Sequence, residues 1–445
     1  MLATTLRIRI AVALALFLTA LPVRAQEPAA LKKLNAQAVD FYRQAKYGEA
    51  VRVGQDAVKL AEKTFGTSHR EVATALSNLA EYRRADGNYA EAEKLLKQAL
   101  VIDQKLLGSD HPDVGVDLNN LALLYDSLGR HADAELIYDR VLAIDQKALG
   151  PNHPDVATDL NNLAEALRAQ GKLTQAAPLY RRALAIWEKS PAQYARSIAI
   201  ALSNLGALTA TLGQNAEAEK LLGRALEIWR KTVRPDHPSL VATLRQLGSA
   251  QVALHEYPKA ETTLNQVLAI DEKGHDKNDK QLGRDLSKLG LVLFLEQKYT
   301  AAEPHLKRAL ALDEAVYGKE HVTVAASLTN LAEVYRALGK YSTAEPLYRR
   351  ALLIDEKILG PDHPDVANDL NNLGALYFSE GRQADAEPVL KRALAIKVAA
   401  LDPDDPQLLP IMDNYAIALR ALGRDAEAES IEKRAKDIRA KSTTP

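Results

Sequence analysis

An alanine recurs every 42 residues along this chain, and this period limits the possible folds more than any other sequence feature. The series runs through ten successive units without an insertion or a deletion. Its members are Ala50, Ala92, Ala134, Ala176, Ala218, Ala260, Ala302, Ala344, Ala386 and Ala428. Such a period is typical of stacked supersecondary units, each of which buries its apolar face against its neighbours. The sequence therefore predicts a repeat array.

Each unit has the pattern of two helices joined by a glycine turn. In the third unit, Pro112 suits a first helical turn, where its missing N–H costs nothing. Apolar residues follow at helical spacing over 118–125, Gly129 interrupts them, and a second apolar stripe covers 134–144. The position after the first helix's core leucine is always small: Ala80, Ala122, Ala164, Gly206, Gly248, Gly290, Ala332, Gly374 and Ala416. These small residues predict that the two helices of a unit pack closely.

Histidines recur in the connections between units, where they suit either helix capping or metal binding. They are His69, His111, His153, His237, His321 and His363. Copies one unit apart are expected to lie roughly 10 Å from each other. Zinc–nitrogen bonds are about 2 Å long, so neighbouring copies cannot share a metal. We therefore expect capping, and no metal site.

No motif for catalysis or cofactor binding is present. Phosphate-binding glycine loops, a nucleophile elbow and a zinc-protease helix motif are all missing, and the chain has no cysteine. The 57 basic and 58 acidic residues nearly cancel, which gives no overall attraction to nucleic acid. We expect a protein that is not an enzyme, needs no cofactor and does not bind nucleic acid.

The first 25 residues have the pattern of a cleaved secretory signal. Arg7 and Arg9 precede an apolar run over 10–21, and short residues before Gln26 suit a cleavage site. The run is shorter than the roughly 20 residues of a spanning helix. The sequence thus predicts export, most simply to a bacterial periplasm, without stable membrane insertion after cleavage. An uncleaved anchor is the alternative.

The repeated motifs resemble a known family. L-x-N-L-A-x-x-Y, then Gly, then A-E-x-x-Y-x-R-A-L resembles the tetratricopeptide repeat. The linker L-G-x-x-H-P-x-V-A resembles the 42-residue repeats of kinesin light chains and their bacterial relatives. This resemblance implies an all-α solenoid, a right-handed superhelix of about ten helical hairpins. Together with the signal pattern, it predicts three segments: a signal peptide over 1–25, one solenoid over 26–440 and a disordered tail over 441–445.

An asparagine precedes the core leucine of the first helix in most units. We call Asn78, Asn120, Asn162, Asn204, Asn330, Asn372 and Asn414 the asparagine row. Asparagine is a mediocre helix former, so its recurrence within a helix needs a reason. Its amide can hold the backbone of an extended peptide. In the resembling family this position faces the concave surface, and O-linked GlcNAc transferase repeats use a similar ladder. Alternatively, each amide bonds the neighbouring repeat and only orders the stack.

The asparagine row is interrupted at Gln246 and Lys288. Arg245, Phe294 and two leucines of the same region add basic and apolar character. These residues predict a stretch that sets specificity for a ligand with acidic and aromatic groups. Drift in two poorly maintained repeats is the alternative.

Trp187 and Trp229, the only tryptophans, occupy a position that is aspartate in five other units. Because aspartate is usually exposed, the two indoles are expected to form an exposed patch for a partner, since aromatic residues concentrate at interface hot spots. Alternatively, they cover the altered loop 190–194.

Together these patterns favour a non-catalytic scaffold in the cell envelope that holds protein or peptide segments in a concave groove. The alternative function is a self-associating envelope assembly or stability factor that acts through the tryptophans and the repeat ends.

Overall fold

The computed structural model describes residues 29–274 and 280–442. The interpreted signal peptide, the connection at 275–279 and residues 443–445 lie outside this part of the chain. The helices are α1 Ala29–Arg43, α2 Tyr47–Phe65, α3 Arg70–Ala85, α4 Tyr89–Leu107, α5 Pro112–Ser127, α6 His131–Leu149, α7 Pro154–Ala169, α8 Leu173–Trp187, α9 Ala195–Thr211, α10 Asn215–Thr232, α11 Pro238–Ala253, α12 Tyr257–Gly274, α13 Lys280–Leu295, α14 Tyr299–Tyr317, α15 Val322–Ala337, α16 Tyr341–Leu359, α17 Pro364–Ser379, α18 Gln383–Ala400, α19 Leu409–Ala421 and α20 Asp425–Ser442.

The helices pair in sequence order and form two compact units, residues 1–250 and 251–445, of which the structure describes 29–250 and 251–442 without the gap. We call the odd-numbered helices A helices and the even-numbered helices B helices. Apart from α11, which contains the boundary between the units, each A helix packs on the following B helix, and each B helix from α2 to α8 and from α12 to α18 packs on the next A helix. The described residues contain one 3₁₀ turn, Pro406–Leu408, and no strand. The predicted all-α solenoid of helical hairpins is confirmed. None of the described helices is both long and apolar enough to cross a membrane.

Small residues bring each A helix close to its own B helix. All ten alanines of the 42-residue series are fully buried on the B helices. At Gly206 of α9, an added Cβ would lie 2.7 Å from the Cγ of Leu222 in α10. At Gly374 of α17 the distance to Leu390 Cγ would be only 2.5 Å. The leucine thus occupies the space that a side chain at the glycine would need.

The turn between A and B helices requires a positive φ. Gly129, between α5 and α6, has φ 75°, and most hairpins carry glycine at the same position. Three hairpins instead place Ala45, His255 and Gln297 there, with φ of 57°, 59° and 60°. This left-handed conformation costs a residue with a Cβ roughly 1–2 kcal/mol. The close helix packing therefore holds the turn even where its residue is unsuited to it.

The framed histidines cap the A helices, as the sequence predicts. The Nδ1 atom of His111 accepts a hydrogen bond from the backbone N–H of Asp113 at 3.2 Å. His69, His153, His237, His321 and His363 make the same bond to the residue two positions later, at 3.1–3.2 Å. Each cap satisfies one of the N–H groups that a helix start leaves without a partner.

Replacing Gly206 with alanine is expected to destabilise the chain by about 1–3 kcal/mol, because the new methyl group overlaps Leu222. Gly223→Ala in the neighbouring helix is the matched control, since nothing lies within 4 Å of a Cβ there. It should stabilise the chain by about 0.4–1 kcal/mol. Urea unfolding followed by circular dichroism measures the free energy of unfolding of both variants. If Gly206→Ala stabilised the chain as much as Gly223→Ala, the close approach at Gly206 would be contradicted.

Candidate functional site

The asparagine row lies along the A helices. The unit of residues 29–250 carries Asn78, Asn120, Asn162 and Asn204 on α3, α5, α7 and α9. The unit of residues 251–442 carries Asn330, Asn372 and Asn414 on α15, α17 and α19. All seven side chains are half-buried. One face of each stack of A helices therefore presents amides at a regular interval.

Two members of the row bond the preceding repeat. Asn162 Nδ2 donates a hydrogen bond to Asn119 Oδ1 at 3.2 Å, and Asn414 Nδ2 donates to Asn371 Oδ1 at 2.9 Å. Within the described residues, the side-chain amides of the other five make no hydrogen bond: Asn78, Asn120, Asn204, Asn330 and Asn372. Two amides thus order the stack, and five offer donors and acceptors to a ligand.

Hydrogen-bonded carboxylates lie one helical turn beyond three members of the row, and sequence analysis missed them. Glu165 of α7 accepts a hydrogen bond from the Tyr180 hydroxyl at 2.5 Å and from Arg168 at 3.2 Å. Burial raises the pKa of Tyr180 well above its usual range, so the hydroxyl stays protonated and donates. Glu333 has the equivalent partners Tyr348 and Arg336. Glu81 accepts from Arg84 in the equivalent position and from Tyr42 of the preceding A helix. The signal is present in the sequence as Glu three residues after the asparagine. These bonds fix the A helix that carries the row.

The residues that interrupt the row differ in exposure. Arg245 and Gln246 of α11 are half-buried, and Gln246 Oε1 has no hydrogen-bond partner in the described part of the chain. Lys288 of α13 is exposed, together with Leu291 and Leu295, whose side chains are 43% and 39% accessible. We call Lys288, Leu291 and Leu295 the α13 stripe, since their spacing places them on one helix face.

Phe294 does not belong to the α13 stripe. It is half-buried, packs against the core, and its ring centre lies 5.4 Å from that of Tyr299 in α14. Phe294 is thus a packing residue of its hairpin, and the apolar surface at this point comes from the two leucines instead.

The model of one protein family matches most of the chain. The model described as tetratricopeptide repeat matches residues 29–100, 71–147, 129–189, 197–273, 286–357 and 323–397. The chain belongs to the tetratricopeptide repeat family. A search of the curated proteins gives no match.

Solved structures of tetratricopeptide repeat proteins resemble this one. The apo form of RapI has a TM-score of 0.61 at 16% identity and covers 83% of this chain and 98% of its own. BtubC (BKLC) from P. vanneervenii is 25% identical with a TM-score of 0.43 and covers 51% of this chain and 91% of its own. Kinesin-light-chain TPR-like repeats from Podosopora anserina are 25% identical with a TM-score of 0.32, over 56% of this chain and 98% of their own. Kinesin-light-chain-like repeat proteins are among the structural neighbours.

The prediction that the two tryptophans are exposed is wrong. Trp187 and Trp229 are only 3% and 2% accessible. The Trp229 indole stacks on His237, with ring centres 5.9 Å apart, and its Nε1 donates to Ser203 Oγ at 3.4 Å. Both rings therefore fill the core of a tetratricopeptide repeat junction, and they form no partner patch.

The error came from treating aspartate as a sign of exposure. At the same position of other repeats, Asp103, Asp271 and Asp313 are themselves buried, with at most 7% of each residue accessible. The sequence signal lies fourteen residues later, on the next A helix. Where the B helix carries aspartate, that later position holds aspartate or serine. Where it carries tryptophan, the later position holds Ala201 or Thr243. Small partners leave room for an indole.

Trp229→Ala is expected to lower the free energy of unfolding by about 3–5 kcal/mol, because it leaves a cavity in the junction. Leu136→Ala is the control, since that side chain is 72% exposed and its loss should change stability by less than about 0.5 kcal/mol. Denaturant unfolding measures stability, and light scattering measures the oligomeric state. A Trp229→Ala variant that keeps its stability but changes its oligomeric state would contradict the packing role and support a partner-binding surface at the tryptophans.

Proposed function

We propose that this tetratricopeptide repeat chain is a non-catalytic scaffold of the cell envelope that binds extended peptide segments along the asparagine row. Proteins of this fold bind protein or peptide partners. The observation that carries the proposal is the set of five half-buried row amides without a hydrogen-bond partner within the described residues. Asn204 makes no inter-repeat bond even though the preceding repeat carries Asn161, the equivalent of Asn119, whose Oδ1 has no partner in the described part of the chain.

An extended peptide suits such a row because its backbone is chemically regular. Each peptide unit offers one N–H and one C=O, and each side-chain amide offers two donors and an acceptor. Repeats on parallel A helices bring a new amide to the ligand at each step. Neutral hydrogen bonds contribute about 0.5–1.5 kcal/mol each, so affinity would come from several modest contacts. Selectivity requires other groups.

The α13 stripe provides such groups. Lys288 replaces a row asparagine with a cation, and Leu291 and Leu295 present apolar surface one and two turns beyond it. A ligand with an acidic residue followed by an apolar or aromatic one would complement this order of charge and apolar area. The chemistry favours an acidic peptide segment over a basic one.

The sequence of residues 1–25 supports the envelope location. Its positive start, short apolar run and small residues before Gln26 are the features of a cleaved signal. The intact mass of the protein recovered from its native host tests this part separately: a chain beginning at Gln26 agrees with export and cleavage, and a chain retaining Met1 contradicts it. The self-association alternative loses its tryptophan surface, because both indoles are buried.

The row is tested with a displayed library of random peptides, enriched on the folded chain and followed by calorimetry on the best binder. A triple variant, Asn78→Ala with Asn120→Ala and Asn204→Ala, removes three unbonded amides from one unit. Its Kd should rise on the order of 100-fold, since three hydrogen bonds at about 1 kcal/mol each are lost. The control variant removes three exposed amides elsewhere in that unit: Gln98→Ala, Asn152→Ala and Gln175→Ala.

The control should bind as the unchanged chain does, and both variants should keep their melting temperature. If the row variant binds normally, the row is not the site. If it melts much lower, the amides are structural and the proposal fails.

Charge reversal tests the α13 stripe. Lys288→Glu is expected to weaken a bound acidic peptide by about 3–30-fold, because an exposed attraction becomes a repulsion. A peptide in which the acidic residue is changed to lysine should recover affinity for the variant and bind the unchanged chain less well. An equal effect of Lys288→Glu on both peptides would rule out a direct charge contact.

A further inference from the structure

Buried pairs of aspartates join consecutive repeats. At three junctions, an aspartate near the end of a B helix meets one near the middle of the next A helix. The pairs, which we call carboxyl joints, are Asp103 with Asp117, Asp145 with Asp159, and Asp355 with Asp369. At the same two frame positions of a fourth junction, the side chains of Asp313 and Ser327 lie within hydrogen-bond distance of each other, at 2.5 Å. Asp117, Asp159 and Asp369 are at most 7% accessible.

A hydrogen bond between two carboxyl groups requires a proton on one of them. Ionised carboxylates only accept, so two of them cannot bond each other. Asp103 Oδ1 and Asp117 Oδ2 are buried and have no donor among the described residues, and the same holds for Asp355 Oδ1 and Asp369 Oδ2. Asp159 Oδ2 is likewise without a donor. One proton held between the two carboxyls of each joint satisfies these oxygens.

A fourth junction shows how the chain builds the same contact without a shared proton. Asp313 of α14 meets Ser327 of α15, and the serine hydroxyl donates to Asp313 Oδ2 at 2.5 Å. Ser327 follows Asp313 at the same spacing at which the second aspartate of a carboxyl joint follows the first. The hydroxyl is a permanent donor, so this junction needs no proton from solvent. The chain thus contains its own reference for a junction that has a single carboxyl group and shares no proton between two.

The groups facing the first joint only partly offset its charge. Ser77 of α3 donates to Asp117 Oδ1 at 3.1 Å. The Arg70 guanidinium of α3 attracts the Asp103 carboxyl, but it also pairs with Asp113, whose charge opposes it. His111 faces the joint from the connection before α5.

The other two joints have fewer neighbouring donors. His153 and Asp155 face the joint of Asp145 and Asp159. His363 and Asp365 face the joint of Asp355 and Asp369, and the Thr329 hydroxyl of α15 lies 3.5 Å from Asp369 Oδ1. Asp113, Asp155 and Asp365 each face one joint with a negative charge. These charges raise the free-energy cost of ionising both carboxyls of that joint.

We propose that the three carboxyl joints are proton-linked, so that each holds one shared proton that keeps a B helix docked on the next A helix. Loss of the proton leaves two buried like charges in contact, and the junction loosens. The stack of tetratricopeptide repeats is therefore tightest in acid and loosens at mildly alkaline pH. This proposal does not depend on the proposed peptide site.

The electrostatics of the joints agree with this geometry. Burial, followed by repulsion from the partner, raises the pKa of Asp117 and of Asp369 to about 7 and that of Asp159 to about 8. The unfolded value is near 3.9. A pKa that is higher in the folded state stabilises the fold fully below about pH 4, and this stabilisation is lost as the pH rises to about 7–8. Each joint then changes the unfolding equilibrium by up to about tenfold per pH unit within that window.

Proton release on unfolding tests the proposal directly. The unchanged chain and a triple variant, Asp117→Ser with Asp159→Ser and Asp369→Ser, are unfolded by guanidinium at pH 6 with a pH indicator in weak buffer. The variant copies the Asp313–Ser327 junction at all three joints. The unchanged chain should release about three more protons than the variant, one for each joint. Equal release would mean that the joints hold no proton and would overturn the proposal.

A second variant covers the case in which the serine variant does not fold. Asp117→Asn with Asp159→Asn and Asp369→Asn keeps the side-chain shape and provides a permanent donor. Its melting temperature should exceed that of the unchanged chain at pH 8.5, and this advantage should shrink or reverse at pH 5. A difference in melting temperature that is the same at both pH values would contradict proton linkage.

Discussion

The close approach of each A helix to its own B helix is the constraint on which the rest of this structure depends. It needs alanine or glycine on the A helix and alanine on the B helix, and both recur through the chain. A leucine such as Leu222 or Leu390 then occupies the space left at the glycine. Since every hairpin meets the same requirement, every hairpin has nearly the same shape, and any side chain that recurs in the frame becomes part of a row.

Rows with different roles lie side by side on the A helices. Asp117, Asp159 and Asp369 lie in the junctions between repeats, and the asparagines three residues later reach the surface. One helical turn thus separates a buried carboxyl from an amide available to a ligand. A change in the protonation of a joint would shift the A helix that carries the adjacent amide. The proposed binding surface and the proposed proton linkage therefore share the same helices without sharing residues.

The sequence predicts the fold almost completely, because period, capping and small-residue positions are local patterns that recur along the chain. His111, Gly129 and Ala134 do in the structure what their positions indicate. Exposure of the tryptophans was predicted wrongly because a B helix position was considered without the residue that packs against it on the next repeat. Trp229 with Thr243 and Asp103 with Asp117 are alternative ways to fill one junction. An asparagine of the row bonds the neighbouring repeat only where that repeat supplies an acceptor, as Asn119 does for Asn162. Side-chain geometry also decides whether the bond forms, and the sequence pattern does not report that geometry.

Hydrogen exchange with a bound peptide shows whether the A helices present a peptide-binding row. Exchange is followed by mass spectrometry on the full chain, alone and saturated with a peptide selected on it. We expect slower exchange in the A helices that carry unbonded row asparagines, namely α3, α5 and α9 or α15 and α17, with the B helices between them unchanged. Protection confined to the B helices, or to the connections between repeats, would place the peptide on another surface and contradict the account.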